Sequence, residues 1–237
     1  MNAEITLPEL QREVARISRR IYDRGFAANH EGNVTALTAD GHVLSTPTAV
    51  SKGDIHEADL LLLDRQGHKV LGSRKPFSEL AMHLAVYKGR PDVGAVVHAH
   101  PPKATAFAVM GLPIEAFCLP EFVVSIGGMV PVVPFALPGS EALNNALQPF
   151  LEGFDVVLLQ NHGVLAWGPD VSTAMLRIEH CEEAATILLA ARSLGVPASL
   201  PPETVQQLLD SRTRAGLGPA GRTRSRVKTP RTGAASR

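Results

Sequence analysis

Apolar residues recur at helical spacing near the start of the chain, at Leu10, Val14, Ile17 and Ile21, between a Thr6-x-x-Glu9 capping box with Pro8 in its first turn and Gly25. This predicts an amphipathic helix packed on the body. The apolar runs then shorten. A polar stretch, Ala27 to Asn33, leads into Val34 to Leu37, a turn at Asp40-Gly41 and Val43 to Ser45. A second polar loop, Thr46 to Asp54, leads into Leu60 to Leu63, a turn at Gln66-Gly67 and Lys69 to Leu71. Short apolar runs joined by glycine-containing turns are hairpins, so much of the sheet is expected to be antiparallel.

From Pro76 to Glu79 the pattern opens a helix with Leu80, His83, Leu84 and Tyr87 on one face, stopped by Gly89 and Pro91. Further on it predicts a strand from Gly94 through Val97, a short helix over Lys103 to Met110, a strand over Val130 to Phe135 and a helix over Ser140 to Leu151. A buried strand, Val156 to Gln160, turns at Asn161-His162-Gly163 into Val164 to Trp167, and a long helix runs from about Val171 to Leu194. Ile114 to Ile126, which mixes Pro120 with apolar residues, has no single reading. Helices before, within and after a hairpin-rich sheet predict an α/β fold in which helices flank one central, mostly antiparallel sheet.

Composition changes this picture mainly at the end of the chain. With 237 residues, 45% of them hydrophobic, one core-forming domain is expected over residues 1–212. Residues 213–237 are expected to form a basic, disordered tail. From 218 onward they carry Arg222, Arg224, Arg226, Lys228, Arg231 and Arg237 without an acid and with almost no large apolar side chain. The tail has no aromatic residue for base stacking and no amphipathic period, so neither nucleic acid nor membrane is expected as a partner. No apolar run approaches a membrane span, and the start of the chain lacks the layout of a secretory signal, which predicts a cytoplasmic protein. Cys118 and Cys181 have no CxxC spacing and read as buried thiols.

The chemistry concentrates at Val96-Val97-His98-Ala99-His100. Residues two apart on a strand share a face, so His98 and His100 are expected to point into one pocket, as a pair of ligands for a divalent metal would. His162, in a turn just past a buried strand, is the natural third imidazole, and Glu79, at the start of a helix shortly before that strand, the natural carboxylate. His83, four residues after Glu79, rivals it by spacing but reads better as a core histidine. His42, His56, His68 and His180 are assigned no role.

Gly32-Asn33-Val34-Thr35, Thr46-Pro47-Thr48, Ser78-Glu79, Val96 to His100 and Leu159-Gln160-Asn161-His162-Gly163, in this order and spacing, resemble the class II aldolase/adducin family, represented by fuculose-phosphate aldolase. The similarity spans roughly residues 8 to 195. It implies a three-layer α/β/α sandwich, a homotetramer with active sites between subunits, and a divalent metal held by Glu79, His98, His100 and His162. Zinc is the first expectation, with manganese, cobalt or iron as alternatives. The implied activity is that of a metal-dependent carbon–carbon lyase on a small molecule, passing through an enediolate or enolate, with Glu79 also serving as base.

The family's phosphate-binding positions are matched at Asn33, Thr48 and Ser78. His30 stands where a threonine is usual, Ala49 where a glycine is, and Phe77 in place of the first of two serines. Glu121 falls where the aldolases carry a proton-donating tyrosine, and the apolar Phe117, Phe122 and Val123 are expected to desolvate it. A standard sugar phosphate is therefore not the expected substrate. Phe77 is expected to pack on a flat substrate and His30 to supply a proton or bind a carboxylate. The alternatives are a decarboxylase of a hydroxylated aromatic or keto acid, a sugar-phosphate aldolase or epimerase, and a non-catalytic adducin-like interaction module. Retention of all four candidate ligands argues against the last.

Overall fold

The computed structural model describes residues 5–227, with side chains described as far as residue 222. The first helix, α1 (Leu7–Asp23), begins where the capping box places it: the Glu9 carboxylate accepts from the Thr6 backbone N–H at 2.9 Å and from its hydroxyl at 2.7 Å. The expected hairpins follow as β1 (Asn33–Leu37) with β2 (Val43–Ser45), and β3 (Leu61–Leu63) with β4 (Lys69–Leu71). Next come α2 (Leu80–Gly89), β5 (Ala95–Ala99) and α3 (Pro102–Val109). The ambiguous stretch resolves into β6 (Ile114–Glu115) and α4 (Pro120–Ser125).

Val130 to Phe135 is not one strand. Pro131 lacks the N–H that would continue a ladder. The chain leaves β7 (Met129–Val130), which pairs with β6, and restarts as β8 (Val132–Val133), which pairs with β9 (Val156–Leu159). Between them lies α5 (Glu141–Leu147), capped by the Ser140 hydroxyl accepting from Leu143 N–H. After β9 come β10 (Gly163–Gly168) and α6 (Val171–Leu194), capped by Asp170.

The main sheet has the order β4-β3-β2-β1-β5-β10-β9-β8, and each neighbouring pair is antiparallel except β8 with β9. Its two faces carry separate apolar cores. Ala95, Val97 and Ala99 of β5 face a core shared with α1, α3 and α6, whereas Val96 faces a second core shared with α2 and α5. The result is the expected three-layer sandwich with a mostly antiparallel sheet. By strand alternation His98 lies on the α2 face, beside Val96. On that face the buried Thr35 hydroxyl is hydrogen-bonded to His83 Nδ1 at 2.9 Å and to the Tyr87 hydroxyl at 2.8 Å. Burial drives the His83 pKa down to about 3, so this ring is a neutral core imidazole.

The expectation of a disordered segment from residue 213 requires correction. Two helices not foreseen in the sequence follow α6: α7 (Pro202–Arg214) and α8 (Gly218–Val227). Arg212 is buried, and Arg222 reaches back 67 residues to the Asp155 carboxylate at 2.7 Å. Charge pairing with the body supplies what apolar burial could not. Residues 228–237, the rest of the expected tail, lie outside the described residues. No helix among the described residues is long and apolar enough to cross a membrane.

Lys52 is an oddity of the fold with a measurable signature. Its side chain is 1% exposed, and its ammonium donates to the carbonyls of Val50 at 3.0 Å and His30 at 3.3 Å. Burial lowers its pKa to about 8 from the ordinary 10.5. Between those two values the unfolded chain binds more protons than the folded one, so the burial penalty is relieved as pH rises through that window. Denaturant unfolding at pH 8 and pH 10.5 is expected to show a gain of order 1–3 kcal/mol in the parent relative to Lys52→Met. Equal pH dependence in the two proteins would refute it.

Candidate metal centre

His98 and His100 sit at the end of β5, and His162 in the turn before β10, the strand that pairs directly with β5 through Leu165↔His98 and Val164↔Ala99. That pairing brings the three imidazoles together. Their ring centroids are 4.7 to 4.9 Å apart, and one nitrogen from each lies within 4.8 Å of the others. Asn161 makes the turn in the left-handed region at φ 57°, a conformation asparagine adopts more readily than most residues. Gly163 allows the close approach of the strands: a Cβ there would stand 2.5 Å from His100 Cδ2 and 2.7 Å from the Ala99 carbonyl.

Hydrogen bonds at the far side of two rings fix their tautomers. His98 Nδ1–H donates to the Val164 carbonyl at 2.9 Å, and His100 Nδ1 faces the Glu31 carboxylate at 3.2 Å. His98 Nε2 is thereby left as a bare acceptor, and it faces His100 Nε2 at 3.0 Å. With His100 carrying its proton on Nδ1, toward Glu31, that approach sets two lone pairs together, which a cation between them would relieve. Burial, reinforced by mutual repulsion, holds the pKa of His98 well below its ordinary value; burial also lowers those of His100 and His162. The rings are therefore neutral at pH 7, as metal ligands must be.

Glu79 caps α2 from the facing layer. Its carboxylate oxygens lie 3.7 Å from His98 Nε2 and 3.5 Å from His162 Nε2, and Oε2 accepts from Asn33 Nδ2 at 3.2 Å. Ligands about 2.0–2.1 Å from one tetrahedral ion are about 3.3–3.4 Å apart, so these spacings fit a shared ion with small adjustments. Glu79 Oε1 is buried without a hydrogen-bond partner, a vacant acceptor of the kind a cation would satisfy. Burial raises the Glu79 pKa despite the Asn33 amide. The three imidazoles thus fit a divalent ion, and the Glu79 carboxylate lies beside two of them.

The other sequence-predicted residues divide. Asn33 is in the cluster. Thr48 and Ser78 are exposed on neighbouring segments joined by the Pro47–Pro76 bridge and by Thr48 N–H donating to the Lys75 carbonyl at 3.0 Å. Ala49 sits at φ 59°, which explains why glycine suits that position. His30 is exposed in the loop before β1, and its carbonyl accepts from Lys52.

Phe77 departs from expectation. It is 8% exposed and packs edge-on to His83 in the α2-side core, so it is not an aromatic wall for a flat substrate. Glu121 is exposed in the first turn of α4, while Phe122 and Val123 bury themselves beneath it rather than shielding it. Sequence reasoning missed Glu31, which orients His100; it is one acid in a polar loop, with no periodicity to mark it.

A model of the class II aldolase and adducin N-terminal domain matches residues 12–189. Among characterised proteins, the chain is 34% identical over 179 residues to 3-oxo-tetronate 4-phosphate decarboxylase of Haemophilus influenzae, covering 73% of this chain and 84% of that one. It is 30% identical over 195 residues to the 5-methylthioribulose-1-phosphate/5-deoxyribulose-1-phosphate aldolase of Rhodospirillum rubrum, covering 81% and 86%. The solved structure of an L-fuculose 1-phosphate aldolase superposes with a TM-score of 0.79 at 27% identity, covering 89% of this chain and 98% of that one.

Proposed function

Because this chain belongs to the class II aldolase and adducin family, we propose that it is a divalent-metal-dependent carbon–carbon lyase acting on a small phosphorylated keto acid, which it decarboxylates. The observation that carries the reading is the convergence of the His98, His100 and His162 imidazoles, with the Glu79 carboxylate beside two of them. Three nitrogens and one oxygen are a donor set that suits zinc, with manganese, cobalt or iron as alternatives. A divalent ion held there supplies electrophilic stabilisation of the oxyanion that develops beside the breaking carbon–carbon bond.

The chain's own groups do the rest. When carbon dioxide leaves a 3-oxo acid, the bonding electron pair passes into an enolate, whose carbon then takes a proton. Glu79, beside the imidazoles that would hold the ion, is our candidate to deliver that proton. Asn33, Thr48 and Ser78 offer donors for the phosphate, and His30, exposed on the adjoining loop, is a candidate for the substrate carboxylate. A phosphorylated substrate, unexpected from His30, Ala49 and Phe77, is supported by the names of the relatives reported above, a 4-phosphate decarboxylase and a 1-phosphate aldolase.

A homotetramer belongs to this reading. His100 and His162 are 20% and 17% exposed, so the cluster is open on one side, where a neighbouring subunit would close it. Glu121, exposed on its own chain, would act in that neighbour's site. Its replacement by Gln is then expected to lower turnover roughly 10²-fold with metal content intact. Turnover within a few-fold of the parent would leave Glu121 a surface carboxylate, and a stable monomer by light scattering would remove the inter-subunit site.

The reaction is tested by supplying metal-loaded protein with a 4-phosphorylated 3-oxo acid and, separately, with a ketose 1-phosphate. Release of carbon dioxide from the first supports decarboxylation. Release of an aldehyde from the second, without the first, makes the protein an aldolase, the activity named for the Rhodospirillum rubrum relative. Inertness toward both in the metal-replete state would reject the proposed substrate class.

A further inference from the structure

At the end of the sheet away from the histidines, one buried carboxylate gathers four guanidinium groups. β5 spans five residues, so its two ends lie roughly 13 Å apart. Asp155, with a side chain 4% exposed, meets Arg90 at 2.8 Å, Arg222 at 2.7 Å, Arg177 at 3.2 Å and Arg212 at 3.6 Å. Arg90 is fully engaged: it forks onto Asp92, reaches Asp155, and donates to the Leu151 and Phe154 carbonyls. The other three are not. Arg177 also donates to the Trp167 carbonyl, Arg212 to those of Val124 and Ser125, and Arg222 to that of Glu152. Counting the Asp155 contacts and the 3.8 Å approach of Arg222 to Asp92, each uses at most three of its five N–H donors.

Among the described residues, these four arginines contact two acids, Asp155 and Asp92, while Asp170, which caps α6, and the exposed Glu152 at the rim lie nearby. Arg177 and Arg212 are 11% and 8% exposed, so their unused N–H donors lie where water reaches them poorly. Two adjoining cavities, each about 300 Å³, are lined in common by Arg90, Asp92 and Arg222. That volume is at the lower end of small-ligand sites. Two of the arginines, Arg212 and Arg222, come from α7 and α8, beyond the stretch matched by the family model.

We propose that this arginine-lined cavity binds a phosphate group, as inorganic phosphate or as a small monoester, at a site separate from the histidine cluster. A tetrahedral dianion can accept from Arg177 and Arg222 at once, both of which line the cavity beside Asp155, and guanidinium forks match its geometry. Bound there, it would tie α7 and α8 to the sheet.

The test is thermal unfolding and calorimetric titration with inorganic phosphate against chloride at constant ionic strength, using the full chain and its His98→Ala variant to remove metal-centred binding. Near 100 times the dissociation constant, Tm is expected to rise by about 5–10 °C in both proteins. Arg222→Gln and Arg177→Gln, which change two arginines of the cavity lining, are each expected to weaken binding ~10-fold or more. Asp155→Asn should melt lower in chloride and recover part of the loss in phosphate, a rescue that a purely structural ion-pair cluster would not give. Glycerol 1-phosphate, titrated into His98→Ala, separates the sources: tighter binding than inorganic phosphate assigns a monoester, weaker binding the free ion. No rise in Tm, a rise abolished by His98→Ala, or a rise unchanged in both arginine variants would overturn the proposal.

Discussion

Gly163→Ala is expected to strip the protein of metal and of turnover while leaving it folded. The added methyl would stand 2.5 Å from the His100 ring and 2.7 Å from the Ala99 carbonyl, contacts too short to survive. Backbone on β5 yields less readily than a side chain, so the ring moves and the donor set loses its shape. Overpacking of this kind costs about 1–3 kcal/mol of stability. Loss of ligand placement is expected to weaken metal binding by at least ~10-fold to 100-fold, with turnover falling by ~10² or more at limiting metal. Metal-buffered titration with circular dichroism on the same samples decides it. Parent-like affinity would mean that the β5–β10 separation does not set the site.

Glu79→Gln is expected to have the larger catalytic effect. The amide keeps the volume and the contact with Asn33 but carries no charge to balance a cation and cannot exchange a proton near neutral pH. At saturating metal, turnover is expected to fall by roughly 10²–10⁴, because proton transfer is lost with the ion still in place. At limiting metal an added loss reports the missing ligand. His98→Ala, which removes a nitrogen buried at 0% exposure, should abolish binding at both concentrations. If Glu79→Gln lost activity only at limiting metal, the carboxylate would be a ligand and not the proton carrier.

The histidine centre was legible because strand alternation and a turn after a buried strand translate directly into direction, and Val96↔Trp167 pairing set the two strand ends side by side. Glu79 was legible because a helix start lies at a known end of its layer. What escaped depended on partners distant in sequence. Glu31 matters only because His100 arrives against it. α7 offers few apolar positions, and the residue it buries is Arg212, a side chain that hydropathy counts as solvated. The basic segment read as a tail because its counter-charge, Asp155, lies some sixty residues earlier. Phe77 failed for another reason: a position next to Ser78 says nothing of which way the ring turns.

The order of strands also dictates when in the protein's life the ion can be taken up. No single peptide segment carries a complete donor set: Glu79 precedes α2, His98 and His100 end β5, and His162 arrives only with the β9–β10 turn. A nascent chain that has emerged as far as residue 150 holds two imidazoles and a carboxylate but not the strand that seats between β5 and β9. On the proposed reading, high-affinity loading would wait on translation and on docking of β10. The ion would then reach a nearly finished molecule, and binding during synthesis by the His-x-His pair alone is expected to be weak and reversible.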